Sequence, residues 1–116
     1  MFGLFKKVEI NMEKINNFCD WFISNNEQII ESVLKSKEDG LAMMRYLNIV
    51  ESELAKVYRD YYKGEIFFGY GPIPKTNKWA LDLSHFNKKP LIKATSLIQE
   101  RLNKELSDKW IVRINK

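Results

Sequence analysis

Apolar and polar positions divide the chain into a helix-patterned first half and a strand-patterned second half. Ile15, Phe18 and Phe22 recur at helical spacing, with Cys19 and Trp21 beside them. Asn11 fits the N-cap of that helix, and Glu13 places an anion in its first turn, where the helix dipole favours one. Ser24-Asn25-Asn26-Glu27 has the pattern of a capping box, which predicts that a second helical segment restarts there. Its apolar stripe is Ile29, Ile30, Val33 and Leu34, and Lys37-Glu38-Asp39-Gly40 is the expected break. From Leu41 to about Asp60, Met43/Met44, Leu47, Val50, Leu54, Val57 and Tyr61 recur every three or four positions, with charged residues on the other face. Gly64, after Lys63, suits a C-terminal cap.

The period then changes to two. Ile66, Phe68 and Tyr70 alternate with Glu65, Phe67 and Gly69, so Glu65–Tyr70 is a predicted strand. Gly71 to Lys78 is a proline-punctuated connection. Trp79, Leu81, Leu83 and His85 alternate with Ala80, Asp82 and Ser84 as a second strand. Asn87-Lys88-Lys89-Pro90 is a turn, with Pro90 placed to open a helix. Leu91, Thr95, Ile98 and Leu102 form that helix's stripe, and Trp110, Val112 and Ile114 alternate in a closing strand. The expected fold class is α+β in a single domain, residues 1–116: N-terminal helices, then β-β-α-β, with the helices packed on one face of a small sheet. The first two strands pair antiparallel, and the helical crossover makes the second and third parallel. If residues 2–10 add a strand between the two parallel ones, the sheet becomes ferredoxin-like. Phe2, Leu4, Val8 and Ile10 alternate, but Lys6 and Lys7 interrupt them. The preferred expectation is three strands and a loose N-terminus.

Composition narrows the class. A chain of 116 residues with 45% apolar and 29% charged residues can bury a core of its own. No apolar run approaches the roughly 18 residues of a membrane span. The N-terminus puts its short apolar run before its lysines, the reverse of a secretory signal. One cysteine, Cys19, allows no internal disulfide, so a cytoplasmic protein is the expectation. The net charge of +4 is unevenly placed. Residues 1–60 carry eight Lys/Arg and ten Asp/Glu; residues 61–116 carry eleven and five, a net +6 on the strand-bearing half. Such a half can attract nucleic acid or an acidic protein, and equally can be a solvated lysine surface.

The catalytic inventory is thin. His85 and Cys19 are the single members of their types, far apart in sequence and set among apolar neighbours at structural spacing. They read as core residues rather than as a nucleophilic pair, and one His with one Cys does not make a zinc site. A small enzyme using His85 with Asp82 is a third, weaker expectation. No catalytic residues, metal ligands or cofactor are assigned. Gly69-Tyr70-Gly71 follows a strand, but prolines rather than a helix come next, so it lacks the context of a phosphate loop.

Lys63 to Tyr70, KGEIFFGY, resembles the RNA-recognition signature in Lys63, Gly64, Phe67 and Tyr70. Glu65 stands where the first stacking aromatic belongs, and the run follows a long helix rather than a hairpin. Phe67 can still stack a base on the sheet's second face, with Lys109 and Arg113 on the same face and Glu65 and Asp82 balancing their charge. The other candidate is the loop Pro72-Ile73-Pro74, stiffened by its prolines, beside Tyr70. Phe67, Tyr70, Pro72, Ile73, Pro74, Lys109 and Arg113 are therefore the candidate interaction surface.

The segments Tyr62–Gly71 and Trp79–Leu83 and the ending Trp110-Ile111-Val112, with Asp20-Trp21-Phe22 on the first helix, resemble a group of small uncharacterised bacterial proteins. These have a Trp-Phe helix, a strand pair, a helix and a terminal W-x-V/I strand. The chain departs from them before the last tryptophan, where Leu106-Ser107-Asp108-Lys109 replaces the group's Ala-Pro. The resemblance implies an α+β fold and no established activity; by analogy it extends to immunity proteins of bacterial toxin systems. The expected function is a non-catalytic protein-interaction module, immunity-like by that analogy, with a protein partner or a second copy of the chain. The alternative is single-stranded nucleic-acid binding through the basic half. No membrane partner is expected.

Overall fold

The computed structural model describes residues 10–115. Helix α1 spans Met12–Leu34 and a 3-10 turn follows at Lys35–Lys37. Next come helix α2 (Gly40–Tyr58), strands β1 (Phe68–Pro72) and β2 (Trp79–Ser84), helix α3 (Lys89–Glu105) and strand β3 (Trp110–Asn115). This is the expected α+β order. The sheet runs β1-β2-β3, with β1 antiparallel and β3 parallel to β2.

Local signals account for most boundaries. Asn11 caps α1: its side-chain oxygen accepts from the Lys14 N–H at 3.1 Å. Asp39 caps α2 in the same way, accepting from the Leu41 N–H at 3.1 Å. Pro90 falls in the first turn of α3, where its missing N–H removes no helical bond.

The structure corrects the expected break in the first helix. α1 runs unbroken for 23 residues through Ser24–Glu27. The two asparagines bond backward instead: Asn25 Nδ2 donates to the Trp21 carbonyl at 2.8 Å and Asn26 Nδ2 to that of Ile23 at 2.7 Å. Asn26 Oδ1 also accepts from Trp110 Nε1 at 3.1 Å. What reads as a cap is a buried polar anchor between α1 and β3.

Gly64 is not a left-handed cap either, since no described glycine has positive φ. α2 ends at Tyr58 and is capped by Arg59, whose guanidinium donates to the carbonyls of Tyr62 and Gly64. Tyr62 folds over Gly64 so closely that a Cβ there would collide with the phenol ring. A side chain there would have to displace the Tyr62 ring, and backbone angle sets no such demand.

β1 begins three residues later than expected and extends through Pro72. Pro72 has no N–H, and β1 is an edge strand, the position in a sheet that tolerates it. The strand expected from residues 2–10 falls mostly outside the described residues; Ile10 packs on the core without joining a strand. The ferredoxin-like place for such a strand is taken in any case, because β2 and β3 pair directly from Trp79↔Trp110 to Ser84↔Asn115.

The three helices cover one sheet face, burying Trp79, Leu81, Leu83, Trp110 and Val112 against Phe18, Phe22, Leu54, Ile98 and Leu102. Phe22 meets Trp110 edge to face, with ring centroids 4.9 Å apart. Tyr58 and Thr95 share a buried hydroxyl contact of 2.9 Å between α2 and α3. The far edge of β3 is closed by α3: Asn103 Oδ1 accepts from the Val112 N–H at 2.7 Å, and Gln99 and Asn103 donate to the Val112 carbonyl. Phe68 and Tyr70, aimed at the helices from edge strand β1, are only half-buried.

Candidate interaction surface

Alternation and register determine what the other sheet face presents. Gly69 lies opposite Asp82, and Asp82 opposite Arg113; Gly71, Ala80 and Ile111 form the next row. No described helix packs on this face. Phe67 is 51% exposed and Ile111 39% exposed on it. Gly69 and Gly71 are two apart, so both lie on the same side. A Cβ built on either meets no atom within 4 Å. The two glycines therefore leave a trough floored by backbone and by the small side chain of Ala80.

Two shallow depressions share this floor. One, of about 260 Å³, is lined by Phe67, Gly69, Asp82, Ser84 and Asn115. The other, of about 350 Å³, is lined by Gly69, Gly71, Ile73, Pro74, Asp82 and Arg113. Between them Asp82 accepts two hydrogen bonds from Arg113, at 2.7 and 2.9 Å. The carboxylate raises the guanidinium's pKa through these bonds and its charge. Of the expected balance of Glu65 and Asp82 against Lys109 and Arg113, the structure has the Asp82–Arg113 pair alone.

The candidate residues separate accordingly. Phe67, Ile73, Pro74 and Arg113 come together around the trough, with Pro72 at the end of its bordering strand. The loop is held by its own bonds: Ile73 N–H to the Lys78 carbonyl at 2.9 Å and Thr76 Oγ1 to the Ile73 carbonyl at 2.8 Å. Lys78 also donates to the Ser107 carbonyl, tying the loop to the turn before β3.

Lys109 lies elsewhere, and Tyr70, which borders the second depression, turns its ring away from it. Tyr70, paired in register with Leu81, points to the helix side and packs near Phe68, with ring centroids 6.3 Å apart. Its hydroxyl is buried without a hydrogen-bond partner, and burial pushes its pKa up to about 12. Lys109 precedes β3 and turns to α1, where it meets Glu27 at 3.1 Å. It therefore adds no charge to the open face.

A feature that the sequence reading missed sits where β1 begins and β2 ends. The Phe86 ring packs against Tyr62 at 5.3 Å and against Phe67 at 5.5 Å, and Lys88 Nζ stands 5.7 Å from the Tyr62 ring. Phe86 and Asn87 have φ of 53° and 58°, and the Lys88 N–H closes on the His85 carbonyl at 3.0 Å. Two successive left-handed residues spanned by that bond are the mark of a type I′ turn. The left-handed region is costly for a bulky residue, so contacts must hold Phe86 there. Asn87 is a normal signal for such a turn; nothing local in the sequence announces Phe86.

His85 is buried beneath the same turn, where its Nδ1 accepts from the Asn87 N–H at 2.9 Å. Asp82, engaged with Arg113 on the open side, is not its partner. Cys19 is buried in α1, and burial pushes its thiol up to about 11. Among the described residues no three His, Cys, Asp or Glu side chains gather as a metal site. No described helix is long and apolar enough to cross a membrane. Comparison with family models, with curated proteins and with solved structures finds no match.

Proposed function

We propose that the protein is a cytoplasmic interaction module that docks an extended segment of a protein partner on the second face of its sheet. One observation carries this reading: the trough over Gly69 and Gly71, walled by exposed Phe67 and by the Ile73–Pro74 loop. Its floor is the half-buried backbone at Gly69 and Gly71, where no atom stands within 4 Å of a built Cβ, so an extended chain can approach it closely; Ala80 beside it is 3% exposed. Phe67 and Ile111 supply apolar contact, and the Asp82–Arg113 pair supplies polar partners in the middle. The loop's internal bonds make its wall stiff, so little ordering is needed on binding. An immunity-type partner, as the resemblance implies, is one case of this reading.

The second reading is single-stranded nucleic acid, favoured by the Tyr62–Phe67–Phe86 rings beside Lys88. It is the weaker of the two, because Arg113 and Lys109, expected to hold phosphates, are bound to carboxylates.

The test compares the wild-type chain with the double variant Gly69→Val, Gly71→Val. Neither glycine has positive φ and both have room for a side chain, so the variant should fold. Immobilised wild type should retain a partner from bacterial lysate that the variant loses. A wild type that captures chaperones alone, or a variant that captures the same proteins, refutes the proposal. Oligonucleotide binding that falls with salt and is lost on Phe67→Ala decides for the second reading.

A further inference from the structure

The helices are longer than the sheet they cover. α1, at 23 residues, rises about 34 Å, whereas a six-residue strand spans about 20 Å. Side-chain contacts show which end projects. Arg101 of α3 reaches Asn16 and Asp20, while Asn26 and Glu27 reach Trp110 and Lys109 at the start of β3. α1 therefore passes the start of β3 at Asn26 and continues for two further turns. α2 returns beside it after the connection at Lys35–Asp39.

This projecting end keeps the helix pattern of the core but loses its cover. From Val33 to Ile49 no side chain is buried. The stripe that buries Phe22 and Ile29 continues to Ile30 and Val33, which are half-buried. The stripe that buries Leu54 and Val50 continues to half-buried Leu47. Leu34, Leu41 and Met44 are 64%, 63% and 59% exposed. Isolated exposed leucines are ordinary; a stripe continuing from the core of two adjacent helices marks an interface.

We infer that this helical hairpin pairs with the hairpin of a second copy of the chain, forming a four-helix bundle about a two-fold axis. Charge narrows the occupant to one that meets a neutral rim, and a second copy is such an occupant. Between Glu31 and Arg45 the chain carries three acidic and three basic residues. Two pairs already neutralise each other, Glu31–Lys35 at 2.7 Å and Asp39–Arg45 at 3.3 Å. A balanced rim offers no attraction to nucleic acid or to an acidic protein, and it lacks the basic polar face that holds a helix at a lipid surface. It does not repel itself, as a two-fold contact requires, since the same patch must meet its own image. Residues 28–50 number 23, of which Ile29, Ser32 and Val50 are buried; one face of the rest supplies fewer than the roughly 20–30 residues a side of a standard interface, so the contact is a small one. Helix pairs with apolar faces of this kind assemble as bundles.

The test is the mass of the full chain in solution, by light scattering or sedimentation equilibrium, up to submillimolar concentration. The wild type should run at twice 13.8 kDa, and the double variant Leu34→Glu, Met44→Glu at 13.8 kDa. Both positions are exposed, so the melting curve of the monomer should survive; Leu34→Gln, Met44→Gln is the uncharged second variant and should weaken the dimer. Ile111→Glu, on the open sheet face, should leave the dimer intact. A wild type at 13.8 kDa throughout overturns the inference. So does a dimer that persists in the hairpin variants, or one lost with Ile111→Glu. The glycine variants of the trough do not bear on this result, so the two proposals can fail separately.

Discussion

Asn26→Ala should lower stability by about 1–2.5 kcal/mol, and the loss should depend on Trp110. Two side-chain bonds disappear: from Trp110 Nε1 at 3.1 Å and to the Ile23 carbonyl at 2.7 Å. The Ile23 carbonyl remains within a helix, so the serious loss is at the indole. Trp110 is 1% exposed, and water does not replace the amide there. A buried donor left unmade costs about 1–3 kcal/mol. Alanine is the better helix former by up to about 0.7 kcal/mol, which offsets part of this. For a domain of this size 1 kcal/mol moves the midpoint by about 3–6 °C, so the variant should melt roughly 5–10 °C below wild type. Thermal or urea unfolding of Asn26→Ala, Trp110→Phe and the double variant makes a cycle. Phenylalanine has no N–H to orphan, so Asn26→Ala should cost less in that background, with a coupling above about 0.5 kcal/mol. Ser24→Ala is the discriminating control. In a capping box it would lose about 1 kcal/mol; in mid-helix, exposed, it should be neutral or stabilising. Strict additivity of the two core substitutions, or a costly Ser24→Ala, refutes the anchor.

Two further outcomes follow from burial and strain. Cys19 should resist thiol reagents at pH 8 in the native protein and react fully once guanidinium unfolds it, since burial raises its pKa from 9.0 to about 11. The raised pKa also fixes a sign. Above pH 9 the unfolded thiol ionises first, so its share of stability is whole below pH 9 and is lost as pH rises toward 11. A native thiol that reacts as fast as the unfolded one contradicts this. Phe86→Ala should destabilise by about 1–3 kcal/mol, because it removes two ring contacts worth about 0.5–1.5 kcal/mol each while leaving the turn left-handed. An unchanged melting point would show that the rings do not hold the turn.

The elements that were legible in the sequence are those whose periodicity is set by one buried face. In β2, Trp79, Leu81 and Leu83 alternate because the helices cover that side of the sheet, and all three are buried; Ala80 on the other side is buried too, and only Asp82 and Ser84 are partly open there. α2 and α3 show the same stripe from Val50 to Val57 and from Leu91 to Leu102. The failures occur where a polar residue has a distant partner. Asn26 matches a cap by its neighbours, yet its bond is to Trp110, 84 positions away, and no local pattern contains that. Gly64 matches a helix stop, yet its φ is not positive and what stands over it is the Tyr62 ring. Lys109 belongs to the open face by strand alternation, but the strand begins only at Trp110, and one residue earlier the side chain is free to turn to Glu27.

The surface was legible in part, and the part that failed is instructive. Gly69 and Gly71 stand out in the sequence as a glycine pair after a strand, and a phosphate loop is the obvious chemistry to test them against. That comparison asks what the glycines' backbone conformation could bind. Their φ values are ordinary, so conformation is not why they matter. Placed on β1, opposite Asp82 and Ala80, they matter for what they omit: two side chains, on one face, at consecutive rows of the sheet. Phe67, Ile73 and Arg113 then cease to be separate candidates and become the borders of one space. Tyr70, between the two glycines, borders this space but sends its ring to the other side of the sheet, with Leu81. A trough made by omission is also the easiest kind of surface to test, since filling it adds atoms to solvent-exposed space and takes none from the core.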